Sequence, residues 1–288
     1  MSRKRAQVAL ILSTVANVIL FGIKISVGVV ANSRALLADG INSGLDIFFS
    51  VMILISFRLA SKPADEKHPY GHGNIEVLAA FIAALIILGT GGYIIYDGVR
   101  SAFFKPSIKT PEFIALVAAG FTVIVKLTLY IYTRAVSKKW RSPAVKVQAA
   151  DHLTDILATS AALSGILVAR MGIGFFDPIG AAIVGGFICF TGFRLLKDNY
   201  HILLDAHPAE KFLVKLKKCA VKSKGVVDVT CLRAHPVGTN YFLEITVTVN
   251  GRLSVKKGHD IAENVKQRLL RCEGSLKDVT VHVEPASD

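Results

Sequence analysis

The chain has 288 residues, of which 52% are hydrophobic and 19% are charged, and its mean hydropathy is +0.50. Soluble domains carry about 25% charged residues, so this composition excludes a disordered protein, a disulfide-dense scaffold and an ordinary soluble enzyme. The net charge of +13 lies in the last third and in short clusters between apolar segments, which is typical of a membrane protein and predicts no nucleic-acid partner.

Six apolar segments run through the first two thirds of the chain, each near the ~20 residues that cross a bilayer. The predicted spans are residues 7–30, 35–57, 77–98, 112–135, 146–170 and 175–197. The first segment is too long for a signal peptide and no small-residue cleavage site follows it, so we expect it to stay in the lipid bilayer. The sequence therefore predicts a six-helix transmembrane domain over residues 1–204.

The distribution of lysine and arginine predicts the orientation of these spans. Basic residues cluster before the first span, after the second span and after the fourth span, and they are fewer in the intervening connections. The clusters lie at residues 3–5, 58–67 and 134–146. Because basic loops stay in the cytoplasm, we expect a multi-pass protein of the cell (inner) membrane with both termini cytoplasmic.

Residues 205–288 are more polar and predict a separate cytosolic domain. Residues 242–249 alternate apolar and polar side chains with the period of a strand, and Ser254 is a candidate N-cap. The predicted elements are helices at 208–222 and 254–271 and strands at 226–233, 242–249 and 279–283. This αββαβ order favours a small α+β domain with helices on one face of a sheet.

Two of the predicted spans contain oxygen-bearing side chains where apolar ones are expected. Asn42 and Asp46 lie four residues apart in the second span, and Asp151 and Asp155 have the same spacing in the fifth. Four residues are about one helical turn, so each pair shares one face. A charge in the centre of a span costs ~2.5–3.5 kcal/mol, so such residues are candidates for function.

The two pairs are also predicted to lie at the same depth. At 1.5 Å per residue the first pair lies ~12–18 Å below the outer surface, and the second ~9–15 Å above the inner surface. Both depths fall near the middle of a hydrocarbon core ~30 Å thick, which predicts one midplane cation site. Its ligands would be Asn42, Asp46, Asp151 and Asp155.

The ligand atoms of this site predict its chemistry. An amide oxygen and three carboxylates are hard donors that suit Mn²⁺, Mg²⁺ or Ca²⁺ better than Zn²⁺ or copper. Carboxylates crowded in a low dielectric repel one another, so we expect them to bind protons without metal and to release them when metal binds. The sequence has no phosphate-binding loop, so metal–proton exchange without ATP or an organic cofactor is predicted.

Three alternatives stay open on the residues alone. The aspartates could form buried structural ion pairs with Lys24 and Lys126. The chain could be an intramembrane aspartyl protease, although the Gly-x-Gly-Asp signature is absent, or a metal-sensing or scaffold subunit that transports nothing. His152 points about 100° away from the Asp151 face and is expected to be a structural contact rather than a ligand.

Taken together, these motifs resemble the cation diffusion facilitator family of divalent metal–proton antiporters over nearly the whole chain. The resemblance is carried by Asn17 through Lys24 to Gly28, Ala35–Asp39, Asn42–Asp46, Tyr70–Glu76, Asp151–Asp155 and Val281–Pro285. It implies a homodimer with six spans per subunit, a ferredoxin-like cytosolic domain, and alternating access that exports cytosolic metal against protons.

The resemblance also bears on the metal. Zinc carriers of this family usually have His or Asp at the position of Asn42 and often His at that of Asp151, so the set found here resembles the manganese-exporting branch. Mn²⁺ is therefore the favoured substrate, with Fe²⁺, Co²⁺, Cd²⁺ and Zn²⁺ as others. A zinc- or iron-type antiporter of the same family is the alternative function.

The resemblance also implies a metal site in the loop after the second span. Asp65, His68 and His72 match a loop metal site of some members, the alternative being an ordinary solvated loop.

In the cytosolic domain, His259, His282 and Glu284 occupy positions that match a two-metal site of zinc members. Thr230 and Thr246 stand where two of the histidines would be, so a complete two-zinc centre is not expected. A weaker single site and ordinary surface residues are the remaining alternatives.

Overall fold

The computed structural model describes residues 2–104, 110–140, 143–206 and 208–286. The chain forms two compact units, one of Met1–Met52 with Ile82–Leu196 and the other of Ile53–Phe81 with Lys197–Asp288. The predicted division between residues 204 and 205 stays a prediction, because the second unit also includes residues 53–81.

In the described part of the first two thirds of the chain, six long helices account for most residues. They are α1 (Ser2–Val30), α2 (Arg34–Ala60), α3 (Asn74–Phe104), α4 (Phe113–Trp140), α5 (Pro143–Arg170) and α6 (Phe176–Leu203). Each helix contains an apolar segment of at least 20 residues, which is long enough to span a membrane. This confirms the six predicted spans. Several helices run past the predicted spans, and α3 has 31 residues.

Small side chains form much of the interior of the first unit (residues 1–52 and 82–196), which is called the membrane unit below. Its buried cluster is rich in alanine, including Ala35, Ala119 and Ala162, each 0% exposed. A methyl group added at Gly165 of α5 would lie 2.8 Å from the backbone oxygen of Phe176 in α6. Such residues allow neighbouring helix backbones to approach closely, as is common between membrane helices.

The start of α2 is fixed by Asp177 near the start of α6. The Asp177 carboxylate accepts hydrogen bonds from the Ser33 hydroxyl and from the backbone N–H of Arg34, both at 2.7 Å. A carboxylate at a helix N-terminus satisfies backbone N–H groups that have no partner within the helix. This contact sets the position of α2 and therefore of the polar residues two and three turns further along it.

The C-terminal domain has the predicted αββαβ order. Its elements are α7 (Glu210–Val221), β1 (Asp228–Val237), β2 (Asn240–Val249), α8 (Val255–Cys272) and β3 (Leu276–Pro285). The sheet has the order β1-β2-β3, with β1 and β2 antiparallel and β2 and β3 parallel. The Ser254 side chain accepts a hydrogen bond from the backbone N–H of Lys257 at 3.4 Å, which confirms the predicted N-cap of α8.

One face of this sheet packs against the two helices. Leu243 and Ile245 of β2 are 1% exposed, as the alternating pattern predicts, and they share a buried cluster with Leu216 of α7 and Leu269 of α8. The domain is therefore a two-layer α+β structure with its own hydrophobic core.

Candidate metal site in the membrane unit

Asn42 of α2 and Asp155 of α5 lie in contact although 113 positions separate them in the sequence. The Asn42 side-chain amide donates a hydrogen bond to Asp155 Oδ1 at 3.5 Å. The structure therefore brings together one member of each polar pair that the sequence places at the same depth.

The other two predicted ligands lie near this contact. Asp46 interacts electrostatically with Asp155 and with Asp151, and Asp151 interacts with Asp155. In the described part of the chain, however, these three carboxylates are not a group whose ligand oxygens all lie within 4.8 Å of one another. The four side chains share a region of the unit, but the three described carboxylates do not form a compact three-ligand group in this structure.

The exposed fraction of the four side chains changes along this region. Asp155 is 6% exposed, Asn42 and Asp46 are half-buried, and Asp151 is exposed. Since Asp151 lies one turn nearer the start of α5 than Asp155 does, the exposed fraction of these side chains is greater toward the start of the helix.

Lys126 of α4 also belongs to the site. Its ammonium group, on a residue that is 0% exposed, forms an ion pair with Asp155 Oδ2 and donates a hydrogen bond to Asn17 Oδ1 of α1 at 2.8 Å. The buried ion pair considered from the sequence is therefore present for Lys126. It involves a predicted metal ligand, so the two interpretations describe the same group of residues.

A second buried ion pair involves Asp39, which lies about one turn before Asn42 in α2. Lys24 of α1 lies 2.7 Å from Asp39 of α2, and both side chains are 0% exposed. The Lys24 ammonium also donates to Ser43 at 3.1 Å and to Thr159 of α5 at 3.4 Å, and Thr159 donates to Asp39 at 2.9 Å. Lys24 therefore contacts Asp39 rather than a predicted ligand.

His152 is buried beside the site. Its Nε2 atom lies 3.0 Å from the hydroxyl of Ser13 in α1. This contact between two helices agrees with the structural role that the direction of the side chain predicts.

The three residues of the predicted loop site lie close together between α2 and α3. The ligand atoms of Asp65, His68 and His72 all lie within 4.8 Å of one another. Hydrogen bonds to the Asp65 carboxylate, first of all from the backbone N–H of His68, lower the pKa of Asp65 from its usual value. The carboxylate is therefore ionised at neutral pH and suited to a cation.

In the C-terminal domain, two of the three residues of the predicted metal site lie close together. His282 Nε2 lies 3.6 Å from Glu284 Oε1, since alternate residues of β3 share one face. Within the described residues, His259 does not complete a group of three ligand atoms within 4.8 Å with these two side chains. It lies on the exposed side of α8.

Three contributions were not assigned from the sequence. They are the contact of Asn17 with Lys126, the pairing of Lys24 with Asp39, and the role of Asp177 at the start of α2. A polar Asn17 within an apolar span was an available signal for the first. The identity of each partner depends on how the helices are rotated against one another, which periodicity does not give.

Two family models match the chain. "Cation efflux transmembrane domain" matches residues 10–204, and "Cation efflux protein, cytoplasmic domain" matches residues 208–286.

Transporters and magnetosome proteins are among the proteins similar to this chain. The manganese efflux system protein MneP of Bacillus subtilis is 32% identical, with 99% of this chain and 96% of that protein covered. The magnetosome protein MamM of Paramagnetospirillum magneticum is 31% identical, with 87% and 79% covered. A solved C-terminal domain variant of a MamM protein is 22% identical and covers 27% of this chain and 95% of that one, with a TM-score of 0.27.

The family match covers both units, and the relatives that share nearly the whole length are transporters and not enzymes. With its six apolar helices, the chain is a multi-pass membrane protein. It belongs to the cation efflux family of metal transporters.

Proposed function

We propose that this chain exports Mn²⁺ from the cytoplasm across the cell membrane in exchange for protons. The observation that carries the proposal is the contact between the Asn42 amide and the Asp155 carboxylate, from two apolar helices, with Asp46 and Asp151 nearby. Polar groups placed at such cost within a membrane mark an ion pathway.

The donor atoms favour manganese as the substrate. The four side chains offer one amide oxygen and carboxylate oxygens, which suit a hard divalent ion, whereas Zn²⁺ prefers nitrogen and sulfur. The relative MneP, whose name describes manganese efflux, supports the same choice. Fe²⁺, Co²⁺, Cd²⁺ and Zn²⁺ are the competing substrates.

The crowding of acidic groups supports exchange with protons. Asp46, Asp151 and Asp155 interact electrostatically with one another, so ionising all three without a metal is unfavourable. A bound metal favours the ionised forms and expels the protons. Opposite movements of metal and protons across one site then require no ATP.

The exposure of the site supports access from the cytoplasm. Asp151 is exposed and lies nearest the start of α5, which the distribution of basic residues places on the cytoplasmic side. Beyond Asp155, the ion pair of Lys24 and Asp39 is fully buried. This arrangement fits a state that is open inward and closed outward.

Two further parts belong to the proposal. The group of Asp65, His68 and His72 offers a second cation site in the loop between α2 and α3. The C-terminal domain, which the family model describes as cytoplasmic, is proposed to join two copies of the chain as a homodimer with both termini in the cytoplasm.

Flux measurements in liposomes test the proposal. The purified full chain is reconstituted, a pH gradient is imposed, and Mn²⁺ and Zn²⁺ fluxes are followed for the wild type and for Asp155→Asn. Asp198→Asn, which makes the same exchange at an exposed position of α6, is the matched control. We expect gradient-dependent Mn²⁺ flux in the wild type and the control, and background flux in Asp155→Asn.

Other outcomes discriminate between the alternatives. Zinc flux without manganese flux would keep the transporter and overturn the argument from hard donors. Mn²⁺ flux that ignores the pH gradient would remove proton exchange from the proposal. The absence of flux for every divalent ion tested would favour a sensing or scaffold role.

A further inference from the structure

Among the described side chains of the membrane unit, two lysines are fully buried, and their surroundings differ. Lys24 and Lys126 are both 0% exposed. A buried ammonium group must be paired or hydrogen-bonded, because its transfer from water is unfavourable. The identity of each partner therefore indicates what each lysine does.

Lys24 is held by groups outside the predicted metal ligands. Its ammonium lies 2.7 Å from Asp39, 3.1 Å from the Ser43 hydroxyl and 3.4 Å from the Thr159 hydroxyl. Three oxygen acceptors match the three N–H donors of the ammonium group. This lysine links α1, α2 and α5, and these direct contacts include none of the four predicted ligands, although its charge acts on Asp46 electrostatically.

Lys126 instead pairs with a carboxylate oxygen of Asp155, which a bound metal would need as a ligand atom. It forms an ion pair with Asp155 Oδ2, while Asp155 Oδ1 accepts the hydrogen bond from the Asn42 amide. Both carboxylate oxygens of Asp155 are thus engaged by donors of the protein. Asn42 presents its N–H group to Asp155, although metal binding requires its oxygen.

The second partner of Lys126, Asn17, offers the ammonium group a hydrogen-bond acceptor away from Asp155. Asn17 Oδ1 accepts a hydrogen bond from Lys126 at 2.8 Å, and Asn17 is a half-buried neutral residue of α1. Lysine has a flexible four-carbon side chain with three rotatable donors. The ammonium can therefore leave Asp155 while it remains hydrogen-bonded to Asn17.

We propose that the Lys126 ammonium is a tethered cation that occupies Asp155 when no metal is bound and withdraws toward Asn17 when a divalent ion binds. The inference rests on the proposed function, since it takes Asp155 as a ligand. Lys126 competes with the metal for one carboxylate oxygen, and by returning to Asp155 it promotes release. It is a positioning residue that weakens metal binding and speeds turnover.

The first test removes the tethered cation. Lys126→Met keeps the length of the side chain but removes its charge. We expect the Mn²⁺ dissociation constant of the full chain, measured by calorimetry in detergent, to fall at least about tenfold. In liposomes the Mn²⁺ KM and the maximal rate should both fall, because the ion binds more tightly and leaves more slowly. A loss of structure alone would weaken binding instead.

The double variant Lys24→Met/Asp39→Leu is the matched control. It removes an equally buried ammonium together with its partner, and neither residue is a predicted ligand. We expect its Mn²⁺ dissociation constant to stay within about threefold of the wild-type value, because no direct competition is lost. Equal tightening in this control would overturn direct competition in favour of a general effect of buried positive charge.

A second variant tests the withdrawal and decides the matter if Lys126→Met does not fold. Asn17→Leu removes the acceptor to which Lys126 moves, so the ammonium should stay on Asp155 and Mn²⁺ binding should weaken at least about threefold. Simple repulsion between Lys126 and the metal predicts no such weakening.

The failures of the two proposals are distinguishable. A wild-type chain that neither binds nor moves Mn²⁺ would overturn the proposed function, and this inference with it. A wild type that binds and moves Mn²⁺, with Lys126→Met no tighter or Asn17→Leu unchanged, would overturn the tethered cation alone.

Discussion

Both units of the chain contain lysine–carboxylate pairs, but water reaches these pairs to very different extents. In the membrane unit, Lys24 lies 2.7 Å from Asp39 and both side chains are 0% exposed. In the C-terminal domain, Lys266 lies 2.6 Å from Asp278, and the side chains are 33% and 50% exposed. Nearly the same geometry therefore occurs in two different dielectric environments.

The difference shows that environment, rather than residue type, decides what such a pair does. An exposed pair contributes ~0–1 kcal/mol, because water screens the charges and the side chains lose freedom. Breaking a buried pair costs ~3–5 kcal/mol, because the remaining charge has neither water nor a partner. The buried lysines of the membrane unit therefore constrain helix packing, whereas Lys266 has little influence on the fold.

The largest expected effect comes from breaking the buried pair of the membrane unit. Lys24→Met leaves the Asp39 carboxylate buried without a counter-charge, and we expect the folded state to lose about 3–5 kcal/mol. Thermal unfolding of the full chain in detergent, followed by circular dichroism, measures the loss.

The double variant Lys24→Met/Asp39→Leu is the control for this prediction. A buried ion pair replaced by apolar residues of similar volume is often neutral or even stabilising, so the double variant should recover most of the lost stability. If both variants were equally unstable, the cost would lie in packing and not in the unpaired charge.

An intermediate effect is expected when a donor of the proposed site is changed from oxygen to nitrogen. Asn42→His supplies an imidazole, which Zn²⁺ accepts readily. We expect the ratio of Zn²⁺ to Mn²⁺ flux in liposomes to rise about tenfold, equivalent to about 1.4 kcal/mol.

Asn32→His is the matched control for the change in selectivity. It introduces the same side chain in the turn between α1 and α2, where Asn32 has a φ of 53°. Asparagine and histidine both tolerate this backbone conformation. If Asn42→His moved manganese as well as the wild type and gained no zinc flux, the assignment of Asn42 as a selectivity determinant would be wrong.

The smallest effect is expected for the exposed pair of the C-terminal domain. Lys266→Met should lower stability by less than about 1 kcal/mol. Hydrogen exchange of the β3 amides around Val279 in the full chain measures this local effect.

The effect of Lys266→Met should also depend on pH. A hydrogen bond from Lys266 lowers the pKa of Asp278 from its usual value of 3.8. A carboxylate whose pKa is lowered by folding contributes stability above its usual pKa and loses it as the pH falls through the lowered value. The variant and the wild type should therefore differ at neutral pH and become equal at low pH. A difference that persisted at low pH would show that Lys266 acts through packing.

The sequence predicted the helices better than their ends. Hydropathy gives the spans, yet α3 begins at Asn74 and ends at Phe104, beyond the predicted 77–98 on both sides. Backbone hydrogen bonds continue a helix past the point where its side chains cease to be apolar, so a hydropathy pattern underestimates its length. In the C-terminal domain, the period of two in 242–249 and the N-cap at Ser254 are local signals, and both were predicted correctly.

The proximity of Asn42 to Asp155 could be predicted because depth in a bilayer is a one-dimensional quantity that residue counting supplies. The choice of partners for the lysines could not. Lys126 and Asp155 are 29 positions apart, and Lys24 and Thr159 are 135 apart. Such contacts depend on which helices are neighbours and how each is rotated about its axis.

The sequence by itself thus predicted the six spans, the αββαβ domain and the proximity of Asn42 to Asp155, because these follow from composition, periodicity and the rise of a helix. The tertiary structure alone decided that Lys126 engages Asp155 while Lys24 engages Asp39. A buried charge takes the partner that the packing of neighbouring helices places beside it, and that packing is a property of the assembled bundle.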